Sequence, residues 1–91
     1  MPKLVTTAYY EKRLEVFKQK HSNLRKLYLK TITLLESNPQ HPSLRLHKLK
    51  GKLVPFYSVS IDMKYRILFD FMIRDDQIIL IDIGDHVLYG G

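Results

Sequence analysis

An α+β fold is predicted for this chain, with a short N-terminal strand and a helical hairpin packed on one face of a small antiparallel sheet, in the order β-α-α-β-β-β. Three observations predict it. Apolar residues recur at helical spacing up to Asn38-Pro39, and after Pro42 the period falls to two. No internal repeat or low-complexity linker interrupts the 91 residues, so the whole chain, 1–91, is one domain around one core.

Lys3 to Thr6 reads as a short edge strand. Thr7 fits a helix N-cap, with Glu11 near the positive end of the helix dipole and Tyr10, Leu14 and Phe17 at helical spacing. Ser22 is placed to cap a second helix, whose stripe is Leu24, Leu27, Tyr28, Leu34 and Leu35. Asn38-Pro39 ends it, because the residue before a proline resists helical geometry. Leu44 and Leu46 then alternate with Arg45 and His47 in a strand closed by Gly51, where Leu49 breaks the parity and calls for a twist or bulge near Lys48. Tyr57, Val59 and Ile61 alternate with Ser58 and Ser60 in the next strand. Tyr65, Ile67, Phe69 and Phe71 alternate with Arg66, Leu68 and Asp70 in a third, and Gln77 to Ile83 is an almost unbroken apolar strand. Hydrophobic matching across a three-residue loop, Arg74 to Asp76, pairs Ile67 with Ile83 and Phe69 with Ile81. It also sets Arg66 opposite Gly84 and Lys64 opposite His86, with Arg66 and His86 diagonal neighbours facing away from the Phe69 core.

Composition narrows the function. A 45% hydrophobic, 26% charged chain is globular, and it is too short for a cofactor-binding half plus a substrate half. It has no cysteine, which removes disulfides and thiolate metal sites, and its histidines at 21, 41, 47 and 86 form no i, i+4 pair, so no metal site is expected. No Gly-rich phosphate loop or G-x-S-x-G elbow occurs, no cofactor is called for, and the apolar runs are far shorter than a membrane span. With no signal-peptide core after Met1, a cytoplasmic protein is expected.

The charge is uneven. Met1 to Arg66 holds fourteen bases and four acids, whereas Ile67 to Gly91 holds one base and five acids. Ser37 to Ile61 contains no acid but carries Arg45, Lys48, Lys50 and Lys52. This asymmetry favours a polyanion as partner, nucleic acid first and acidic lipid second, over a mere aid to solubility. Three groups can carry chemistry. His47 to Gly51 offers lysines for phosphates and an imidazole for proton exchange, or else a solvated strand end. Arg66, in a strand of aromatics and isoleucine, offers a planar fork to a phosphate, or else pairs with Asp82 or Asp85. His86 and Tyr89 follow Gly84 as an acid or base and a stacking ring, or else form a frayed end that covers the sheet.

The two helices, the Lys48-Leu49-Lys50-Gly51 strand end, Tyr65-Arg66-Ile67-Leu68, and the closing Ile81-x-Ile83-Gly84-x-His86 with an aromatic after it resemble, in order and spacing, the RelE/ParE superfamily of bacterial toxins. Endonuclease members of that family cleave messenger RNA in the ribosomal A site without a metal. A base deprotonates the ribose 2′-hydroxyl, an acid protonates the departing 5′-oxygen, and basic side chains hold the phosphorane. The resemblance implies a type II toxin, neutralised by a small antitoxin in a hetero-oligomer and monomeric when free. Carried over, it implies catalytic roles for His47, Lys50, Arg66, His86 and Tyr89, and RNA binding by Arg45, Lys48, Lys52 and Lys64. His47 matches the subset reading H-x-L-x-G; Ser60 stands where that subset often carries a second histidine, and Tyr89 follows His86 by three residues where four is common. Gyrase-directed members share the fold without the acid/base set, which leaves a gyrase inhibitor or a non-catalytic nucleic-acid-binding relative as the alternatives.

Overall fold

The computed structural model of the chain describes residues 2–53, 55–72 and 75–85. Strand β1 (Lys3–Val5) leads into helix α1 (Ala8–Lys20) and helix α2 (Arg25–Ser37). Strands β2 (His47–Lys48), β3 (Tyr57–Ser60), β4 (Tyr65–Met72) and β5 (Gln77–Asp85) follow. One sheet forms in the order β1-β5-β4-β3-β2. It is antiparallel except at one edge, where β1 lies parallel to β5 from Lys3–Gln77 to Val5–Ile79. The expected antiparallel sheet is formed by β2 to β5, and the N-terminal strand adds a parallel edge to it. The chain leaves β1, crosses through the helices and returns through the meander, so its first strand docks beside the last.

Thr7 caps α1 as expected. Its extended backbone lets Oγ1 accept from the Tyr10 N–H at 3.1 Å, and the same hydroxyl donates to the Leu80 carbonyl at 3.1 Å. The helix start is thereby tied to the middle of β5. Ser22 does not cap α2. Ser22 to Leu24 form a 3₁₀ turn instead, with the Leu24 N–H on the His21 carbonyl, and the tight turn satisfies backbone groups that a side chain would otherwise take. Asn38 ends α2, its N–H donating to the Leu34 carbonyl.

Tyr10, Leu14 and Phe17 of α1 and Tyr28 and Leu35 of α2 pack on Val59, Ile67, Phe69, Ile78, Leu80 and Ile83. Inside this core the Tyr10 and Tyr28 hydroxyls meet at 2.7 Å, so neither buried phenol is left unpaired. Leu49 and Leu68 belong to a second, smaller cluster with Leu53, Phe56 and Ile81 on the opposite face of the sheet. That cluster removes the need for a bulge near Lys48. Leu46 packs with the helices, His47 and Lys48 follow in alternation, and Leu49 turns to the outer face.

The register is partly as expected. Ile67 pairs with Ile83 and Arg66 with Gly84, but a bulge between Leu68 and Phe69 pairs Phe69 with Leu80 rather than Ile81. Ile81 is the extra residue, and it joins the outer cluster while Leu80 and Ile83 both reach the helices. Lys64 opposite His86 falls outside the described residues, as do the connection residues Ile73 and Arg74. Leu44 is not in a strand. Pro42 to Leu44 form a 3₁₀ turn that ends with Arg45 in the left-handed region at φ 49, and this buries Leu44 against the main core. Among the described residues no helix is long and apolar enough to cross a membrane.

Candidate functional site

The face of the sheet turned away from the helices carries the site. Cross-strand partners share a face, and the Ser60–Arg66–Gly84 row adjoins a row in which His47 faces Ser58 and Ser58 faces Leu68. Gly84 presents no side chain, so Arg66 has room to extend over the sheet. Its guanidinium leans toward β3 and β2. Nε donates to Ser58 Oγ at 2.8 Å and Nη1 to Ser60 Oγ at 2.7 Å. Nη2 donates to the Arg45 carbonyl at 2.7 Å and the Ser58 carbonyl at 3.2 Å.

These partners are all neutral. Arg66 is 8% exposed, and the buried carboxylate of Asp82 is engaged by Arg13, whose Nε donates to it at 2.8 Å. The alternative in which Arg66 pairs with Asp82 is therefore not the arrangement found. Burial first, and the positive charge of Arg45 second, hold the Arg66 pKa below its ordinary value. A desolvated cation with a like charge beside it is stabilised by an anion arriving over the face. The fork itself is mostly used. Four of the five N–H groups go to protein oxygens, which leaves one Nη1 hydrogen and the charge for a ligand.

His47 is exposed at the sheet edge and faces Ser58, whose hydroxyl receives the Arg66 Nε hydrogen. One serine thus separates the imidazole from the guanidinium. Lys50 and Lys52 are exposed where the chain leaves β2, and Gly51 between them adopts φ +66, which a side chain rarely tolerates. Two expected site residues lie elsewhere. Lys48 pairs with Tyr57, whose ring stacks on Phe69, so Lys48 stands on the helix-side face at the sheet edge. Lys64 places its ammonium 5.5 Å from the Tyr65 ring centroid, and that ring packs on Phe17 and His21. Arg45 contributes through its carbonyl as well as its charge. His86 and Tyr89 lie outside the described residues. Sequence reasoning missed Ser58 and Ser60 as holders of Arg66; their position on the polar parity of a strand next to a buried arginine was the available signal.

Among the described residues no group of three or more His, Asp and Glu side chains is arranged to hold a metal. The assembly offers a buried positive charge with one guanidinium hydrogen, and an exposed imidazole one serine away.

No family sequence model matches the chain, and no curated protein matches it. Solved structures do. A metal-bound toxin from Helicobacter pylori is 22% identical, with 97% of this chain and 98% of that chain covered at a TM-score of 0.78. YafQ from E. coli strain BL21(DE3) is 17% identical over 100% of both chains, at a TM-score of 0.73. The E. coli DinJ–YafQ toxin–antitoxin complex is matched at 17% identity over 99% of this chain and 98% of that one, with a TM-score of 0.69. Full-length coverage of structures of this kind, together with the two helices on one face of the sheet, gives this chain the RelE-like fold of toxin–antitoxin toxins.

Proposed function

We propose that the chain is the toxin of a type II toxin–antitoxin system and cleaves messenger RNA in the ribosomal A site without a metal. The observation that carries this reading is Arg66: a buried guanidinium held by four neutral oxygens, beside Arg45, on the face that also presents His47. In the proposed step His47 takes the proton from a ribose 2′-hydroxyl, and O2′ forms a bond to the adjacent phosphorus. The bond from phosphorus to the 5′-oxygen breaks, and His86 supplies the proton that this oxygen takes up. The products are a 2′,3′-cyclic phosphate and a 5′-hydroxyl. Arg66 and Lys50 stabilise the charge that develops on the phosphorane, Tyr89 stacks on the nucleotide, and Arg45, Lys48, Lys52 and Lys64 draw in the RNA backbone.

An antitoxin is the proposed partner. Leu29 is 62% exposed at a cleft of about 310 Å³ lined by Phe17, Lys18, Arg25 and Tyr28, an apolar surface with basic flanks that suits an acidic segment. Primer extension on cellular messages after induction of the chain tests the reading. Cuts within A-site codons support it, and intact messages accompanied by a DNA-damage response replace it with gyrase inhibition.

A further inference from the structure

Arg45 holds a left-handed φ of 49 although it is not glycine, and an outlier of that kind persists only where its surroundings over-determine it. Three contacts do so. The Arg45 N–H donates to the Pro42 carbonyl at 3.2 Å and closes the 3₁₀ turn, while the buried Leu44 seats that turn in the main core. On the far side the Arg45 carbonyl accepts the Arg66 Nη2 hydrogen bond at 2.7 Å. It lies closer to Nη2 than the Ser58 carbonyl does, at 3.2 Å. A strained backbone carbonyl is thus the tighter of the two restraints on that end of the guanidinium.

The turn is set in place by His41. Its N–H donates to the Asn38 carbonyl at the end of α2, and its carbonyl accepts the Leu44 N–H, each at 3.0 Å. The imidazole folds back over the turn as its N-cap. Nδ1 accepts the Ser43 N–H at 3.2 Å, so that nitrogen carries no proton, and the Ser43 hydroxyl donates to it at 2.8 Å. Histidine is not among the residues favoured as caps; asparagine is, and its Oδ1 stands as many bonds from the backbone as the imidazole Nδ1. An unbroken run of contacts therefore leads from the end of α2 through His41, Ser43 and Arg45 to Arg66.

We infer that His41 is a positioning residue for Arg66: its imidazole caps the turn that holds the Arg45 carbonyl on the guanidinium, and so fixes where the spare Nη1 hydrogen points. The consequence for cleavage rests on the RNA-cleaving reading above, whereas the consequence for Arg66 itself does not. The test compares wild type, His41→Ala and His41→Asn in two measurements. Arginine side-chain NMR reads hydrogen exchange at Arg66, its signals being identified by their loss in Arg66→Met. Single-turnover cleavage on programmed ribosomes reads the rate at saturating protein. In the alanine protein the Arg66 Nη hydrogens exchange at least tenfold faster. Its cleavage rate falls by about 10–100-fold, as for a slightly misplaced group, while ribosome affinity stays within twofold. The asparagine protein keeps the cap and returns both readings to within twofold of wild type. Circular dichroism reports one fold throughout; if the alanine protein does not fold, His41→Gln, an amide one bond too long for the cap, takes its place. Unchanged Arg66 exchange or an unchanged rate in the uncapped protein, or an asparagine protein as impaired as that one, overturns the positioning role. No cleavage by wild type, with the exchange pattern as expected, removes the nuclease reading and leaves His41 as the residue that orients Arg66.

Discussion

Replacing Arg66 with Met separates what the guanidinium does for the fold from what it does for a phosphate. The methionine keeps an unbranched stem in the same channel and removes the charge. Four hydrogen bonds are lost, at about 1.5–3 kcal/mol each for a charged donor, but so is the desolvation cost of a buried ion, which is several kcal/mol. Ser60 is only partly buried and water can reach its oxygen, but Ser58 is fully buried, and its hydroxyl and carbonyl oxygens lose a donor that water does not replace. The lost bonds and the relieved desolvation offset one another in part, and the two buried Ser58 oxygens left without this donor cost about 1–3 kcal/mol each, so stability falls by about 2–6 kcal/mol. A urea melt followed by circular dichroism reads this, as does the fall in Tm, at roughly 4–8 °C per kcal/mol for a domain of this size. The effect on cleavage does not cancel. Since most of the fork is occupied, the guanidinium acts on the phosphorane as a charge at about 6 Å, worth about 3 kcal/mol against one added negative charge at an effective dielectric constant of about 20. Single-turnover cleavage on programmed ribosomes therefore slows about a hundredfold. An Arg66→Met protein that unfolds yet cleaves normally whenever folded would make Arg66 a structural tie and refute the reasoning.

His47→Ala leaves stability within about 0.5 kcal/mol, because the side chain is exposed, and lowers the cleavage rate by about 10²–10⁴-fold, as loss of a general base does. Burial raises the pKa of Tyr10 and of Tyr28, so each phenol holds its proton more tightly folded than unfolded. That stability is intact below about pH 10 and is lost as the pH rises beyond it; a Tyr10→Phe protein shows a shallower alkaline loss in urea melts. Gly51→Ala costs about 1–2 kcal/mol of stability from backbone alone, since an added Cβ meets nothing within 4 Å at φ +66. Leu35→Ala, at a fully buried position of α2, costs about 2–5 kcal/mol in the same melts.

The helices and the central strands were legible because their apolar periods are unambiguous. Tyr10, Leu14 and Phe17 repeat at one helical spacing, and Tyr65, Ile67, Phe69 and Phe71 at one strand spacing. The register failed locally where the period gives no information. Ile78 to Ile81 is apolar at every position, so the sequence alone does not say which residue is left over, and the bulge at Ile81 went unread. Leu44 was assigned to a strand because it shares parity with Leu46, yet Pro42 starts a turn that buries Leu44 through a left-handed Arg45. At the site, alternation gave Arg66 its face away from the Phe69 core, and the pairing of β2 with β3 brings His47 to the same face. The four neutral oxygens around the guanidinium did not follow from alternation, because a charged side chain in a strand first suggests a carboxylate partner. The partner expected for Lys64, His86, lies outside the described residues; the chain turns at Asp62, whose Oδ1 collects two backbone N–H groups, and the lysine lies over Tyr65.

The most direct test of the account replaces a single ribose at the cut site. A message carrying one 2′-deoxynucleotide immediately before the cleaved phosphate is bound to ribosomes and mixed with the purified chain. The account predicts no cut at that position, and a 2′,3′-cyclic phosphate at the cut of the all-ribose message. Equal cleavage of the two messages, or a 5′-phosphate on the downstream fragment, would contradict attack by the neighbouring hydroxyl and the roles given to His47 and Arg66.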